Sequence, residues 1–297
     1  SDASGNNYGF IGYGESNAGS EIATVASVIV GPNVAMKADA NLILRAKSWD
    51  DADAKAEGGD RGVVPYIKAT SDVDITNDTT VIIAGGSFLA EGNLTIEALT
   101  TNEADSTANA DIGAFGLSVS TDTWSIADTD VDVDSYIRVS GASLRGGAVK
   151  IRSGVEKTDI HGDSDSVAAY SLASDSDSES SVTVLSETDI DLLGTNIIGV
   201  TKVEVISDHA TVWTRSDARS SANSLGGGSD VDAQNVTTLR SDVTADANSS
   251  ISTAALSVSA KVPASYTIGE DPVQNKAGGD SGRKSSDSPT VAITRAV

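Results

Sequence analysis

The sequence predicts an all-β fold: a β-solenoid, similar to a parallel β-helix, built from about four and a half repeats of roughly 54 residues. Three observations predict it. One motif recurs at regular intervals, apolar and polar residues alternate with period two over long stretches, and glycines mark the turns between these stretches. Such alternation is typical of strands with one buried face, and no helical period competes with it.

The recurring motif is clearest in residues 38–46 and 90–98, which read ADANLILRA and AEGNLTIEA. Four segments share it, each with an apolar anchor at the equivalent position: Leu42, Leu94, Val149 and Val203. The anchors are spaced by 52, 55 and 54 residues. Equivalent residues are therefore expected to stack at the ~4.8 Å distance between strands, so that each copy covers the apolar face of the next.

Each copy contains two long alternating runs. In the copy that starts near residue 90, the first run turns one row inward: Leu94, Ile96, Ala98, Thr100, Ala104, Ser106, Ala108 and Ala110. After a loop with Gly113 and Gly116, the second run turns another row inward: Leu117, Val119, Ala127, Val131, Val133, Ile137 and Val139. The Gly-rich segment 141–147 is predicted to be a turn into the next copy.

The same alternation predicts the inward residues of the other copies. In the first copy they are Ile67, Ala69, Val73, Ile75, Val81 and Ile83. In the third they are Tyr170, Leu172, Val182, Val184, Ile190 and Leu192, and in the fourth Leu239, Val243, Ala245, Ala247 and Ile251. One copy is interpreted as one wide, flattened coil with two facing sheets. Two smaller coils per copy are the alternative, and the sequence alone leaves both open.

The repeat array is expected to occupy residues 1–256. Its copies start near residues 38, 90, 145 and 199, and a partial copy covers residues 1–37. Residues 257–297 are weakly patterned and are expected to form a partial repeat or a linker.

Charge and composition exclude several classes of function. The formal net charge is −23, from 43 acidic and 20 basic residues, which disfavours binding to nucleic acid. No run approaches the ~20 apolar residues of a membrane span, so membrane insertion is not expected. The chain has no cysteine, and therefore neither disulfides nor cysteine-based zinc sites.

The motif at 90–98, the Ala/Thr/Asp-rich alternation and the Gly-rich loops resemble the repeat regions of giant bacterial surface proteins, the filamentous-haemagglutinin-like and leukotoxin-type adhesins. The resemblance covers roughly residues 8–256. It implies a long extracellular β-solenoid that serves in adhesion, surface coating or fibre formation. It also implies neighbouring copies or subunits of the same fibre, and host or surface glycans or proteins, as partners.

An acidic strip on the second run is the most suggestive chemical feature. The segments 71–75, 129–133 and 188–192 each carry two outward carboxylates around one inward residue, and 241–245 is a weakened fourth copy. If these segments stack, like charges lie at strand spacing, and Ca²⁺ with its oxygen ligands would relieve the repulsion. The predicted ligands are Asp72, Asp74, Asp130, Asp132, Asp189 and Asp191. A solvated acidic face without bound metal is the alternative.

No catalytic residue is predicted, and the chain is not expected to be an enzyme. His161 and His209 are the only histidines, and neither has a recurring partner. The expected function is a structural or adhesive segment at the cell surface or in an extracellular fibre. A glycan-binding or glycan-cleaving β-helix, of lyase or tailspike type, is one alternative; a Ca²⁺-dependent surface-layer or filament subunit is another. Trp124 is expected to face outward, and Trp49 and Trp213 to cover coil edges.

Overall fold

The computed structural model describes residues 1–7, 11–60, 63–112, 118–262, 267–268, 281–284 and 291–296. Within these ranges the fold is all-β, and no helix is long and apolar enough to cross a bilayer. The strands are β1 Asp2–Asn7, β2 Ile11–Val30, β3 Ala35–Ala38, β4 Leu42–Asp60, β5 Val64–Ile83, β6 Gly86–Ala90, β7 Leu94–Ile112, β8 Ser118–Ser140, β9 Ala142–Leu193, β10 Asn196–His209, β11 Val212–Ala245, β12 Ser250–Thr253, β13 Leu256–Lys261, β14 Thr267–Ile268, β15 Ser281–Lys284 and β16 Val291–Ala296.

Residues one copy apart are neighbours in parallel strands. Leu42 pairs with Leu94, Leu94 with Val149, and Val149 with Val203. Val203 pairs in turn with Leu256, so β13 continues the stack where the sequence pattern weakens. This pairing confirms the β-solenoid and shows that one copy forms one coil. The alternative of two smaller coils per copy is wrong.

Each coil has two long sides and one short side. In the middle of the stack, β7 forms the first long side, β8 the second, and residues 142–145 of β9 the short side. A long side such as β5 has 20 residues, and at ~3.3 Å per residue it is about 65 Å long.

The prediction that the Gly-rich segment 141–147 is a turn is wrong. This segment contains the short side, which pairs with β6 below and β10 above.

The corner between the second long side and the short side needs a left-handed backbone. Four stacked positions adopt positive φ: Asn33 (65°), Gly85 (117°), Gly141 (61°) and Gly194 (58°). Glycine and asparagine are the residues that enter this region at least cost. Gly86, next to Gly85, also has a positive φ (105°), and it begins the short side of its coil.

The corner before the first long side uses the asparagine of the repeated motif. The backbone N–H of Asn93 donates to Oδ1 of Asn41 at 2.8 Å, and the N–H of Ala148 donates to Oδ1 of Asn93 at 3.2 Å. Each amide oxygen thus accepts a hydrogen bond from the backbone of the next coil. Because the chain turns here, these N–H groups need such partners.

The predicted alternation is confirmed along nearly all of the array. Every predicted inward residue of the first run after residue 90 is buried, as are Ala127, Val131, Val133, Ile137 and Val139. Also buried are Ile67, Ala69, Val73, Ile75, Val81, Ile83, Val182, Val184, Ile190, Leu192, Leu239 and Val243, whereas Ile251 is half-buried. Leu117 with its glycine loop and the side chains of Val119 and Tyr170 lie outside the described residues.

Three inward predictions are wrong. Leu172 is 49% exposed, because the alternation breaks here: Leu172 and Ala173 are both exposed, and burial resumes at Ser174. Ala245 and Ala247 are exposed as well. The pairing of β11 with β16 ends at Val243, so these residues have no described strand above them.

The core changes in character along the coil. Near the short side it contains large side chains, with Phe88, Leu94 and Leu144 fully buried. Toward the far end it is lined largely by small residues such as Ala56, Ala104 and Ala108. Facing sheets must approach closely where side chains are small, because protein interiors leave few voids.

Buried hydroxyl groups link the two facing sheets in this thin core. The Ser106 hydroxyl donates to Oγ of Ser71 at 2.9 Å, and the Ser178 hydroxyl donates to Oγ of Ser164 at 2.9 Å. A buried hydroxyl is costly unless it is hydrogen-bonded. Pairing across the sheets removes this cost and favours one alignment of the facing strands.

His209 belongs to the same interior. Its Nε2 lies 2.9 Å from the Ser186 hydroxyl and its Nδ1 3.1 Å from the Ser241 hydroxyl, so the ring joins two successive coils of the opposite sheet. Burial lowers the pKa of His209 to about 4, which keeps the ring neutral at pH 7. His209 is therefore a structural residue.

The short-side corner yields a test of the coil geometry. Gly86→Ala should lower the free energy of unfolding by at least about 2 kcal/mol, because its φ is strained for alanine. The added Cβ would also overlap the carbonyl oxygen of Val34. Gly19→Ala is the matched control: nothing lies within 4 Å of its Cβ position. Chemical denaturation of both variants measures the difference, and equal stability would contradict the described corner.

Candidate functional site

The predicted acidic ligands all lie on the second long side. Asp74 pairs with Asp130 in the adjacent strand, and Asp72 pairs with Asp128. Asp132 has Thr76 as its neighbour. The predicted alignment of 71–75 with 129–133, with Asp130 beside Asp72 and Asp132 beside Asp74, is therefore wrong by two residues. The structure instead brings Asp74 beside Asp130, and it adds Asp128, which was not among the predicted ligands.

The predicted stacking of Asp189 and Asp191 over the other carboxylates is wrong. Asp189 pairs with Tyr136, and Asp191 with Arg138. The stack is instead aligned by its apolar residues, for example Val139 beside Leu192. A shift by an even number of residues keeps every side chain on its face, so alternation could not reveal the error. The predicted match of 188–192 with 241–245 is correct.

Neighbouring hydroxyl groups already engage Asp191. The Tyr136 hydroxyl donates to Oδ2 of Asp191 at 2.8 Å, and the Thr244 hydroxyl donates to Oδ1. Burial and the hydrogen bond to Asp191 raise the pKa of Tyr136 to about 12. Asp191 thus has protein partners on both oxygens.

Asp189 is in a less favourable environment. Its Oδ1 is buried, with no hydrogen-bond partner among the described residues. Burial, together with nearby Asp242, Glu187 and Asp191, raises the pKa of Asp189 to about 6, although Arg240 opposes the shift. At pH 7 this carboxylate is ionised at a cost to stability.

The rest of this face is also electrostatically unfavourable. Burial is the main cause that raises the pKa values of Asp72 and Asp128, and neighbouring carboxylates raise them further. A shallow trough of about 400 Å³ crosses four coils here, lined by Glu21, Ile22, Ala23, Asp74, Ile75, Thr76, Asp130, Val131, Asp132, Thr183 and Leu185. The trough therefore contains carboxylates from three successive coils, which repel one another.

Cations would relieve this repulsion, and Ca²⁺ is the hard cation that the sequence predicts. Within the described residues, no group of three or more His, Cys, Asp or Glu side chains is arranged to hold a metal ion. Calcium binding by the predicted ligands therefore stays a prediction. Among these ligands, the strand register makes Asp74 and Asp130 direct neighbours.

The outer face of the first long side is charge-paired near its corner. Glu97 contacts Arg45 at 2.6 Å in the coil below and Lys150 at 2.9 Å in the coil above. Burial alone would raise the pKa of Glu97, but hydrogen bonds from Lys150 and Arg45 outweigh it and lower the pKa. Arg152 pairs with Asp208 in the same way, at 2.9 Å. These ion pairs connect successive coils.

Further along the same face lies a groove of about 230 Å³, called here the Trp213 groove. Its lining comes from four successive coils: Asp51, Asp53, Glu103, Ala104, Asp105, Asp159, His161 and Trp213. Strand pairing places Asp51 beside Glu103, Glu103 beside Asp159, and Asp159 beside Trp213. A second column joins Asp53, Asp105 and His161.

Two aromatic rings form one wall of the Trp213 groove. The centroids of His161 and Trp213 are 4.1 Å apart, with the ring planes tilted by 57°. Burial lowers the pKa of His161 in spite of the nearby carboxylates, so the ring is neutral at pH 7. The prediction that Trp49 and Trp213 cover coil edges is wrong, because both residues lie on the outer face of the first long side. Trp124 faces outward as predicted.

Sequence reasoning missed this groove because its residues come from four copies and are of different types. The repeated motif conceals the relation, since the column of Asp51, Glu103 and Asp159 ends in an aromatic residue, Trp213, and not in a fourth acidic one. The one available signal was the register of the anchors. Counting from Leu42 and Leu94 places Asp53 beside Asp105 without any structure.

Comparisons with protein-family models, with curated proteins and with solved structures gave no match.

The partly buried carboxylate of Asp189 yields a test whose result depends on pH. Asp189→Asn should raise the free energy of unfolding at pH 7 by about 1–3 kcal/mol, because it removes a charge that is costly to bury. The folded-state pKa of about 6 exceeds the ordinary value of 3.8. The cost is therefore absent at low pH and develops as the pH rises from the ordinary pKa through 6.

Chemical denaturation at pH 4 and pH 7 measures this effect. The gain should be present at pH 7 and largely lost at pH 4, where Asp189 is protonated in the folded wild type. Asp74→Asn is the matched control, because Asp74 is an exposed carboxylate of the same face. A gain for Asp189→Asn that is equal at both pH values would contradict the described environment.

Proposed function

We propose that this chain is a structural or adhesive β-solenoid segment of a bacterial surface protein or extracellular fibre. The supporting observation is the continuous parallel stacking of coils on both long sides. Long backbone ladders join neighbouring coils, and that between β2 and β5 has 20 paired residues. Such ladders resist bending and shear because many hydrogen bonds must break together.

The two outer faces supply the surface chemistry of this segment. Each coil adds about 4.8 Å to the length of the stack, and each coil is about 65 Å wide. A modest number of coils therefore presents two broad, flat surfaces. The charge of −23 keeps these surfaces hydrated. In this proposal, neighbouring subunits of a fibre, and surface glycans or proteins, meet these faces.

A catalytic β-helix is less well supported. A site for glycan cleavage would place carboxylates and aromatic rings together on one or two coils, whereas the Trp213 groove draws its residues from four. A calcium-dependent filament subunit would need stacked ligands, and the register brings together Asp74 and Asp130 but not Asp189. The similarity of the repeats to filamentous adhesins favours the structural proposal.

Labelling of the producing cells tests the proposal. Antibodies raised against the folded chain should label the outer surface of unpermeabilised cells, or fibres that extend from them, in immunogold electron microscopy. Pre-incubation of the antibodies with purified protein is the control and should abolish the label. Label confined to the cell interior would contradict the proposal, as would cleavage of polysaccharide by the purified chain.

A further inference from the structure

The lining of the Trp213 groove contains more acidic than basic side chains among the described residues. Lys157 contacts Glu103 at 3.0 Å and Asp159 at 2.7 Å, so one ammonium group serves two carboxylates. Asp51, Asp53 and Asp105 line the same groove and make no ion pair with any described residue. An occupant of the groove should therefore be a cation.

Two aromatic rings form one wall of the groove. The indole of Trp213 lies against the neutral ring of His161, whose Nε2 is buried without a hydrogen-bond partner in the described part of the chain. This wall suits the methylene groups of a ligand, and an aromatic ring beside a cation adds a cation–π attraction. A bare metal ion would leave the wall unused.

The spacing of the charges indicates a linear ligand. Asp53 and Asp105 are adjacent in one column, and Asp51 stands beside Glu103 in the next. Carboxylates in a column recur at the ~4.8 Å strand spacing, and the two columns are about 7 Å apart. Ammonium groups separated by short methylene chains match such a spacing.

We propose that the Trp213 groove binds primary alkylammonium groups, with the methylene chain against Trp213 and the ammonium groups on Asp51, Asp53 and Asp105. Either a free linear polyamine or the lysine side chains of a partner protein would supply this chemistry. Such binding is separate from the structural role of the chain, because it depends on the side chains of this face and not on where the solenoid is displayed.

Isothermal titration calorimetry with spermidine tests the proposal. Titrations are made at an ionic strength of about 0.1 M, where the screening length of about 10 Å suppresses diffuse attraction to the chain. Wild type should bind spermidine saturably. The triple variant Asp51→Asn, Asp53→Asn, Asp105→Asn should bind it at least about fivefold more weakly. Trp213→Leu should also weaken binding, which simple charge neutralisation would not cause.

The matched control removes the same charge from the opposite sheet. Glu15→Gln, Asp78→Asn, Glu179→Gln should leave spermidine affinity within about twofold of wild type, because these exposed residues lie outside the groove and outside the acidic trough. Equal weakening by both triple variants would show diffuse counter-ion binding only and would overturn the proposal. No saturable binding to wild type, or displacement of spermidine by equimolar Ca²⁺, would overturn it too. Thermal unfolding of each variant verifies that it is folded.

A second titration distinguishes the two sources of the ammonium group. A short oligolysine peptide that binds more tightly than spermidine, and depends on the same three carboxylates, indicates a lysine-bearing partner. Tighter binding of spermidine indicates a free polyamine. If neither ligand depends on the three carboxylates, the groove is not an alkylammonium site.

Discussion

The parallel backbone ladder between residues one copy apart is the constraint on which the rest of the structure depends. Once Leu42, Leu94, Val149 and Val203 are aligned, the column of every residue on the first long side follows, apart from local bulges. Columns decide which side chains meet on the outer faces. The Trp213 groove and the ion pairs of Glu97 are both consequences of this alignment.

The ladder is stable only if the facing sheets also fit each other. Small residues at the far end of the coil bring the sheets close, and their hydroxyl groups pair across the interior, as Ser71 does with Ser106. Larger residues such as Phe88 fill the wider end near the short side. The core is therefore graded, and each end uses a different means of avoiding voids and unpaired polar groups.

The sequence predicted the fold class, the length of the repeat and most of the inward residues, because these depend on a periodic pattern and on one conspicuous motif. It left open whether one repeat forms one coil or two. It predicted the acidic site only in part. Alternation determines which face a residue is on, but a shift by any even number of residues preserves it. Asp189 was therefore placed over the wrong neighbours, and apolar contacts such as Val139 with Leu192 determine the true register.

A disulfide between introduced cysteines tests the stacking most directly, since the chain has no cysteine of its own. Asp74 and Asp130 are direct neighbours in adjacent strands, and their spacing suits the ~4.4–6.8 Å between Cα atoms that a disulfide needs. Asp74 and Asp132 lie on a diagonal, about 7–8 Å apart. The account predicts that Asp74→Cys with Asp130→Cys oxidises readily, whereas Asp74→Cys with Asp132→Cys does not. The described stacking would be contradicted if the diagonal pair cross-linked more readily than the direct pair, or if neither pair cross-linked.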